Sequence, residues 1–306
     1  MTTPPAILLD CDPGIDDAVA ILTAAEHGRL VGITTVAGNV GVDHTTRNAL
    51  LTLQIAGLDL DVHSGAAAPL VAPARHATRI HGAAGFGTAE LPELRRRAAP
   101  GEAATYICDM ARSTTDLHLV AIGPLTNIAL ALRLDPDLPR RLAGITIMGG
   151  AATGGNVTAA AEFNVWADPE AAAVVFRDAA PITMVGLDLT TTVCLTETEI
   201  DRMRSAGSTC SALVADLLDY YLQRQREWGR PTAAVHDPCA VISVTHPHLF
   251  ERGRHTVDVE LSGVHTRGMT VVDRRPLEHE GTPTEVVWSA DAAAVVELVV
   301  TAVAAA

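Results

Sequence analysis

No lysine occurs anywhere in the 306 residues, so every basic side chain is one of 22 arginines or 12 histidines. A compositional bias accounts for that absence, but the absence still excludes chemistry. A Schiff-base lysine, a pyridoxal-phosphate anchor and a Walker-type phosphate lysine are all impossible. Positive charge is scarce as a whole: the formal net charge is −14 and the isoelectric point is near 5.2. A nucleic-acid backbone or an anionic membrane is therefore excluded as a natural partner. Cysteine is sparse, with Cys11, Cys108, Cys194, Cys210 and Cys239 scattered, odd in number and without a CxxC pair. They read as reduced, mostly buried thiols of a cytoplasmic protein. No uninterrupted apolar run reaches membrane-spanning length. Met1–Pro5 lacks the basic segment of a secretory leader, and the apolar run that follows is broken by Asp10.

What is present is alternation. Short β-branched runs at Ile7–Leu9, Val31–Val36, Leu117–Ile122, Ile145–Met148 and Ile182–Val185 read as buried strands. Between them, Ala18–His27, Thr45–Ala56, Glu102–Arg112, Leu125–Leu134 and Pro169–Phe176 read as helices. Asp168-Pro169-Glu170 supplies an N-cap, a first-turn proline and an acid. Thr196 and Glu199 form a capping box, with Gly207 as the stop of that helix. Leu213–Trp228 reads as a long amphipathic helix, Thr256–Glu260 with Gly268–Asp273 as a hairpin-like element, and Ala290–Val303 as a closing helix. Strands with helical crossovers imply an α/β, doubly wound, mostly parallel central sheet, and the lack of repeats or linkers implies a single domain over 1–306. In such a sheet ligands bind beyond the carboxyl ends of the strands. Polar clusters follow several of them, and the glycine-rich run Arg79–Gly87 suits a mobile flap near a site.

The densest cluster follows the first strand. Asp10, Asp12, Asp16 and Asp17 fall within eight residues, around the turn signal Pro13-Gly14. Two such charges about 5 Å apart repel by roughly 3 kcal/mol at an effective dielectric of about 20. A helix N-terminus offsets only about 0.3–1 kcal/mol. One or two acids at a helix start are ordinary caps in solvent; four after an apolar strand call for a cation, and an all-oxygen set points to calcium or magnesium.

With Asn39, Thr126, the segment Gly155–Asn164 and His236-Asp237, the full Asp-x-Asp-Pro-Gly-x-Asp-Asp pattern resembles the calcium-dependent nucleoside hydrolase family over nearly the whole chain. Val259-Glu260-Leu261 with Gly268–Asp273 is similar to a C-terminal pattern of the same family. The resemblance implies a Rossmann-like nucleoside hydrolase fold and hydrolysis of the N-glycosidic bond of ribonucleosides to base and ribose. It implies Ca2+ held by Asp12, Asp17, Asp237 and the main-chain carbonyl of Thr126. Asp12 would also be the general base, Asn39 would position the water, and Asp10 would orient its neighbours. Asp16, Asn156, Glu162 and Asn164 resemble the ribose-binding set, since buried hydroxyls demand matched partners. Taken singly, Asn156 and Asn164 would read as turn residues and His236 as a helix-start residue.

His236 and His81 are the candidates to protonate or hydrogen-bond the departing base. Tyr220, Tyr221, Arg224 and Trp228, on the long helix, are candidates to meet the base, although aromatics at helical spacing are often core. The family implies a homodimer or homotetramer. Base preference is not readable.

Two other classes compete. A haloacid-dehalogenase-like phosphatase also opens on Asp-x-Asp, but it usually adds a lysine, and Pro13-Gly14 occupies the positions after the second acid. A non-catalytic nucleoside- or ribose-binding protein on the same fold would not need a water-activating base. An EF-hand fails on spacing, because counting from Asp10 the sixth residue is Ile15 and the twelfth Ile21.

Overall fold

The computed structural model describes residues 4–179, 181–276 and 281–306; Met1–Thr3 of the N-terminal stretch considered above lie outside them. The strands are β1 (Ala6–Cys11), β2 (Arg29–Thr35), β3 (Val62–Ser64), β4 (Leu117–Ala121), β5 (Gly144–Met148), β6 (Ile182–Val185), β7 (Cys194–Leu195), β8 (Ala233–Ala234), β9 (Phe250–Val259), β10 (Thr270–Val272) and β11 (Pro283–Ala290). Nine of them form one sheet in the order β10-β9-β11-β6-β5-β4-β1-β2-β3. The pairings from β3 across to β11 are parallel, and β9 runs antiparallel to both of its neighbours. The expected mostly parallel, helix-covered sheet is thus present.

β1 is buried along its whole length, and its alternate residues feed two different cores. Ile7, Leu9 and Cys11 face a core shared with the helices Ile15–His27, Thr209–Glu227, His236–Thr245 and Ala292–Ala305. Ala6 and Leu8 face the opposite core, with the helices Ala103–Ser113, Thr126–Leu134 and Pro169–Asp178. β1 also lies where the strand order reverses, between β2 and β4. The carboxyl end of a strand in that position opens into a crevice. The acid-rich turn begins there.

The local signals hold. Asp168 accepts the Ala171 amide at 3.1 Å, and the Thr196–Glu199 capping box is formed. Thr270 pairs with Val259 as the hairpin reading of the tail requires. Three readings of the C-terminal part need correction. β9 begins six residues earlier than Thr256, at Phe250, where Glu251, Arg252, Arg254 and His255 leave no apolar run to read. β11, starting at a proline, was not among the expected strands. The closing helix starts at Ala292 rather than Ala290, since Asp291 caps it by accepting the Ala294 amide at 3.1 Å.

Among the described residues no helix is long and apolar enough to cross a membrane.

Candidate active site

Pro13 and Gly14 reverse the chain from β1 into the helix Ile15–His27, whose first ten residues are buried between the sheet and four other helices. That packing, rather than any local propensity, buries the acids of its first turn. Asp10 accepts Thr34 Oγ1 at 2.6 Å and Asn127 Nδ2 at 2.8 Å through one oxygen, while its other oxygen has no partner. Asn127 is itself fixed, donating to the Thr35 carbonyl at 2.9 Å and accepting the Ala66 amide at 2.9 Å. Burial pushes the Asp10 carboxyl up to about 7 despite both hydrogen bonds.

Asp17 closes the turn on itself by accepting the amides of Asp12 at 3.1 Å and Gly14 at 2.9 Å. Asn39 joins the two acids: its amide donates to Asp12 Oδ2 at 2.6 Å, and its Nδ2 donates to Asp17 Oδ2 at 3.1 Å. Two glycines make room for the Asp12 carboxylate. A Cβ at Gly38 would stand 2.1 Å from Asp12 Oδ2, and one at Gly123 would stand 2.7 Å from Asp12 Oδ1. Asp12 Oδ1 is buried with no hydrogen-bond partner.

Asp237 comes from the far end of the chain, in the first turn of the helix His236–Thr245. Carboxylate oxygens of Asp16, Asp17 and Asp237 all lie within 4.8 Å of one another. Burial first, and then the neighbouring carboxylates, hold Asp12, Asp16 and Asp237 well above the usual carboxylate range. Buried acids that repel one another, with an oxygen left unpaired beside them, fit a hard divalent cation. Thr126 follows Gly123 and Pro124 at the start of its helix, and its hydroxyl is taken by Asp168 at 2.7 Å. Its main-chain oxygen remains the candidate ligand.

A cavity of about 330 Å³ adjoins this cluster, and Asp16, Asn39 and Asp237 contribute to its lining. Asn156, Glu162 and Asn164 line it as well. Glu162 caps the short helix Phe163–Ala167 and accepts the amides of Gly150, Asn164 and Val165 at 2.9, 2.9 and 3.2 Å. Asn164 is buried in that helix, not in a turn, and its Nδ2 donates to the carbonyls of Ile122 at 2.9 Å and Met148 at 3.1 Å. It thereby bridges the ends of β4 and β5. Asn156 accepts the Phe163 amide at 3.0 Å.

Both candidate histidines reach the cavity. His81 ends a single helical turn, Thr78–His81, and is buried; its Nδ1 accepts the Ile15 amide at 3.1 Å. Burial, helped by His236, pushes its pKa down to about 3. His236 Nδ1 is 2.8 Å from Thr190 Oγ1, and burial together with the Arg230 charge pushes its pKa down to about 4. Both rings are therefore neutral near pH 7.

The long helix runs from Thr209 to Glu227 and turns only some of the expected residues to the cavity. Tyr221, Gln225 and Trp228 line it, at i, i+4 and i+7. Tyr220 and Arg224, one position round, do not. Tyr220 packs over Gly87, and Arg224 pairs with Glu227 at 2.9 Å. His76 and Arg230 are lining residues that sequence reasoning missed, and no spacing signal marked them.

The family model of the inosine-uridine preferring nucleoside hydrolase matches residues 7–297. The chain is 42% identical over 280 residues to an inosine-uridine preferring nucleoside hydrolase of Leishmania major, covering 89% of this chain and 88% of the relative. It is 41% identical over 307 residues to a pyrimidine-specific ribonucleoside hydrolase of Shewanella woodyi, covering 97% of each. Among solved structures, a purine-preferring ribonucleoside hydrolase from Gardnerella vaginalis superposes with a TM-score of 0.92 at 32% identity, covering 98% of both chains. A plant nucleoside hydrolase gives a TM-score of 0.92 at 30% identity, covering 99% of this chain and all of that one. With its acid-rich turn at the reversal of the sheet and a polar cavity beside it, the chain belongs to the nucleoside hydrolase family.

Proposed function

We propose that the chain cleaves ribonucleosides to free base and ribose with calcium as its cation and Asp12 as general base. The observation that carries this is the buried carboxylate cluster with the unpaired Asp12 Oδ1, at one side of a cavity that also holds Asn156, Glu162 and Asn164. Asp12, Asp17, Asp237 and the Thr126 carbonyl would hold the cation. When bound, a divalent cation makes water a stronger acid at neutral pH. Asp12 accepts the proton of the attacking water, a role worth typically about 10²–10⁴-fold. The Asn39 amide on Asp12 Oδ2 keeps that carboxylate oriented and leaves Oδ1 free for the task.

Asp16, Asn156, Glu162 and Asn164 take the ribose hydroxyls. Glu162, locked by three backbone amides, offers acceptors at fixed positions, so little reorganisation accompanies sugar binding. Cleavage develops positive charge on the sugar and negative charge on the base. The carboxylates favour the first. His236 and His81, neutral and buried, favour the second by hydrogen bonding to the base as it leaves. The relatives differ in their named preferences, inosine-uridine, pyrimidine and purine, so the base is assigned by assay. A panel of ribonucleosides and deoxyribonucleosides, with and without calcium, is scored for released base and sugar. Calcium-dependent release from ribonucleosides is expected; release from no member of the panel would instead favour a binding protein.

A further inference from the structure

The turn that carries the acids is bound to residues 81–87 from more than one direction. The Ile15 amide donates to His81 Nδ1, so the neutral ring carries its hydrogen on Nε2. Asn48, on the neighbouring helix Val42–Ile55, donates through Nδ2 to the Pro13 carbonyl at 2.9 Å and to the Ala84 carbonyl at 2.8 Å. The approach is close at both ends. A Cβ at Gly14 would stand 2.4 Å from His81 Nδ1, and one at Gly85 would stand 2.6 Å from Asn48 Nδ2 and 3.0 Å from the Pro13 oxygen.

Asn48 is completely buried and does not line the cavity. Its orientation is fixed, because turning the amide over would set its oxygen against two carbonyl oxygens. The arrangement leaves Asn48 Oδ1 buried without a partner. An apolar residue of the same size would avoid that cost and suit the interior of a buried helix better. What the amide provides in return is a pair of N–H donors joining two segments far apart in sequence.

We propose that Asn48 is a positioning residue: it clamps residues 82–87 onto the Pro13-Gly14 turn and so holds the His81 ring in register with the acid cluster. The inference rests on the reading of His81 as a hydrogen-bonding partner of the departing base.

The test uses Asn48→Leu, near in size and without donors, and Asn48→Ser should the leucine variant not fold. Each is made alone and in a His81→Ala background. Two substrates are compared, a natural nucleoside and p-nitrophenyl riboside, whose leaving group needs no help. Hydrogen exchange is followed over residues 82–87. Faster exchange is expected there, with a loss of kcat on the order of tenfold on the nucleoside and little loss on the nitrophenyl riboside. In the His81→Ala background the same substitution should cost nothing further. Unchanged exchange, or a loss that adds in full to that of His81→Ala, overturns the inference. If His81→Ala alone leaves the ratio between the two substrates unaltered, the reading of His81 fails instead, and the exchange rates decide whether Asn48 holds the segment.

Discussion

Replacing Gly38 by alanine asks the Asp12 carboxylate to move. An ideal Cβ at Gly38 would stand 2.1 Å from Asp12 Oδ2 and 2.7 Å from Pro124 Cδ, where real Cβ contacts essentially never fall below 3.0 Å. The backbone itself is not the obstacle, since Gly38 is absent from the positive-φ glycines. Either the carboxylate shifts by about 1 Å or the loop carrying Asn39 does, and both break the 2.6 Å bond from the Asn39 amide. A displacement of about 1 Å in a reacting group costs on the order of 10²-fold in rate, or about 2.7 kcal/mol in the barrier. Gly38→Ala should therefore lower kcat/KM by about 10²-fold on any good ribonucleoside at saturating calcium. Gly41→Ala is the control three residues away: its φ is −62° and nothing lies within 4 Å of its added Cβ. It should retain near-normal turnover with a slight loss of thermal stability from the weaker helix cap. Steady-state kinetics beside thermal melts decide the matter. A folded Gly38→Ala variant that turns over within about threefold of the parent would refute the assignment of Asp12 as a precisely held base.

Stripping the cation should abolish turnover and calcium should restore it; full turnover after chelation would remove the metal from the mechanism. Stability should follow. In the metal-free protein the folded-state values of Asp10, Asp12, Asp16 and Asp237 are raised, so the folded state binds more protons than the unfolded one and loses stability as pH climbs from about 4 through about 7. The calcium-induced rise in Tm should accordingly be larger near pH 8 than near pH 5.5, as melts at the two values would show. Asp12→Asn keeps an acceptor for the Asn39 amide but removes the charge, and should lower kcat by at least about 10²-fold; near-normal turnover would mean that another group takes the proton. His236→Ala should slow natural nucleosides far more than p-nitrophenyl riboside, and equal losses on both would remove its part in base departure.

The sheet's centre was legible because burial on both faces writes itself as mostly apolar, β-branched runs. β1, β4, β5 and β6 all announce themselves in that way. The periphery was not. β3 is Val-His-Ser at an edge and carries no run to read, and β11 begins with a proline and holds only the short run Val286-Val287-Trp288. The acids were legible for an electrostatic reason, since their spacing demands compensation wherever the chain puts them. The meeting of Asp237 with Asp16 and Asp17 depends on more than 200 residues of intervening chain, and only the family pattern pointed to it. The long helix shows where reading stops. Its residue types indicated Tyr220, Tyr221, Arg224 and Trp228 together, but the phase that keeps Tyr221 and Trp228 at the cavity and leaves out Tyr220 and Arg224 is set by packing against Gly87 and the core. His76 is positioned by a bond of 2.8 Å to the Gly38 carbonyl, a contact between loops with no sequence signature.

The sheet ends in strands of three residues on both sides, β3 and β10. Three residues present only about 10 Å of open backbone ladder. On the β3 side part of even that is taken, because His63 forms a bridge with Ala99. The outermost strands themselves therefore offer an incoming strand little template, which disfavours pairing of the sheet with copies of itself through them. If copies of this chain associate, short margins of this kind favour contacts made by helices and loops over a continuous intermolecular sheet.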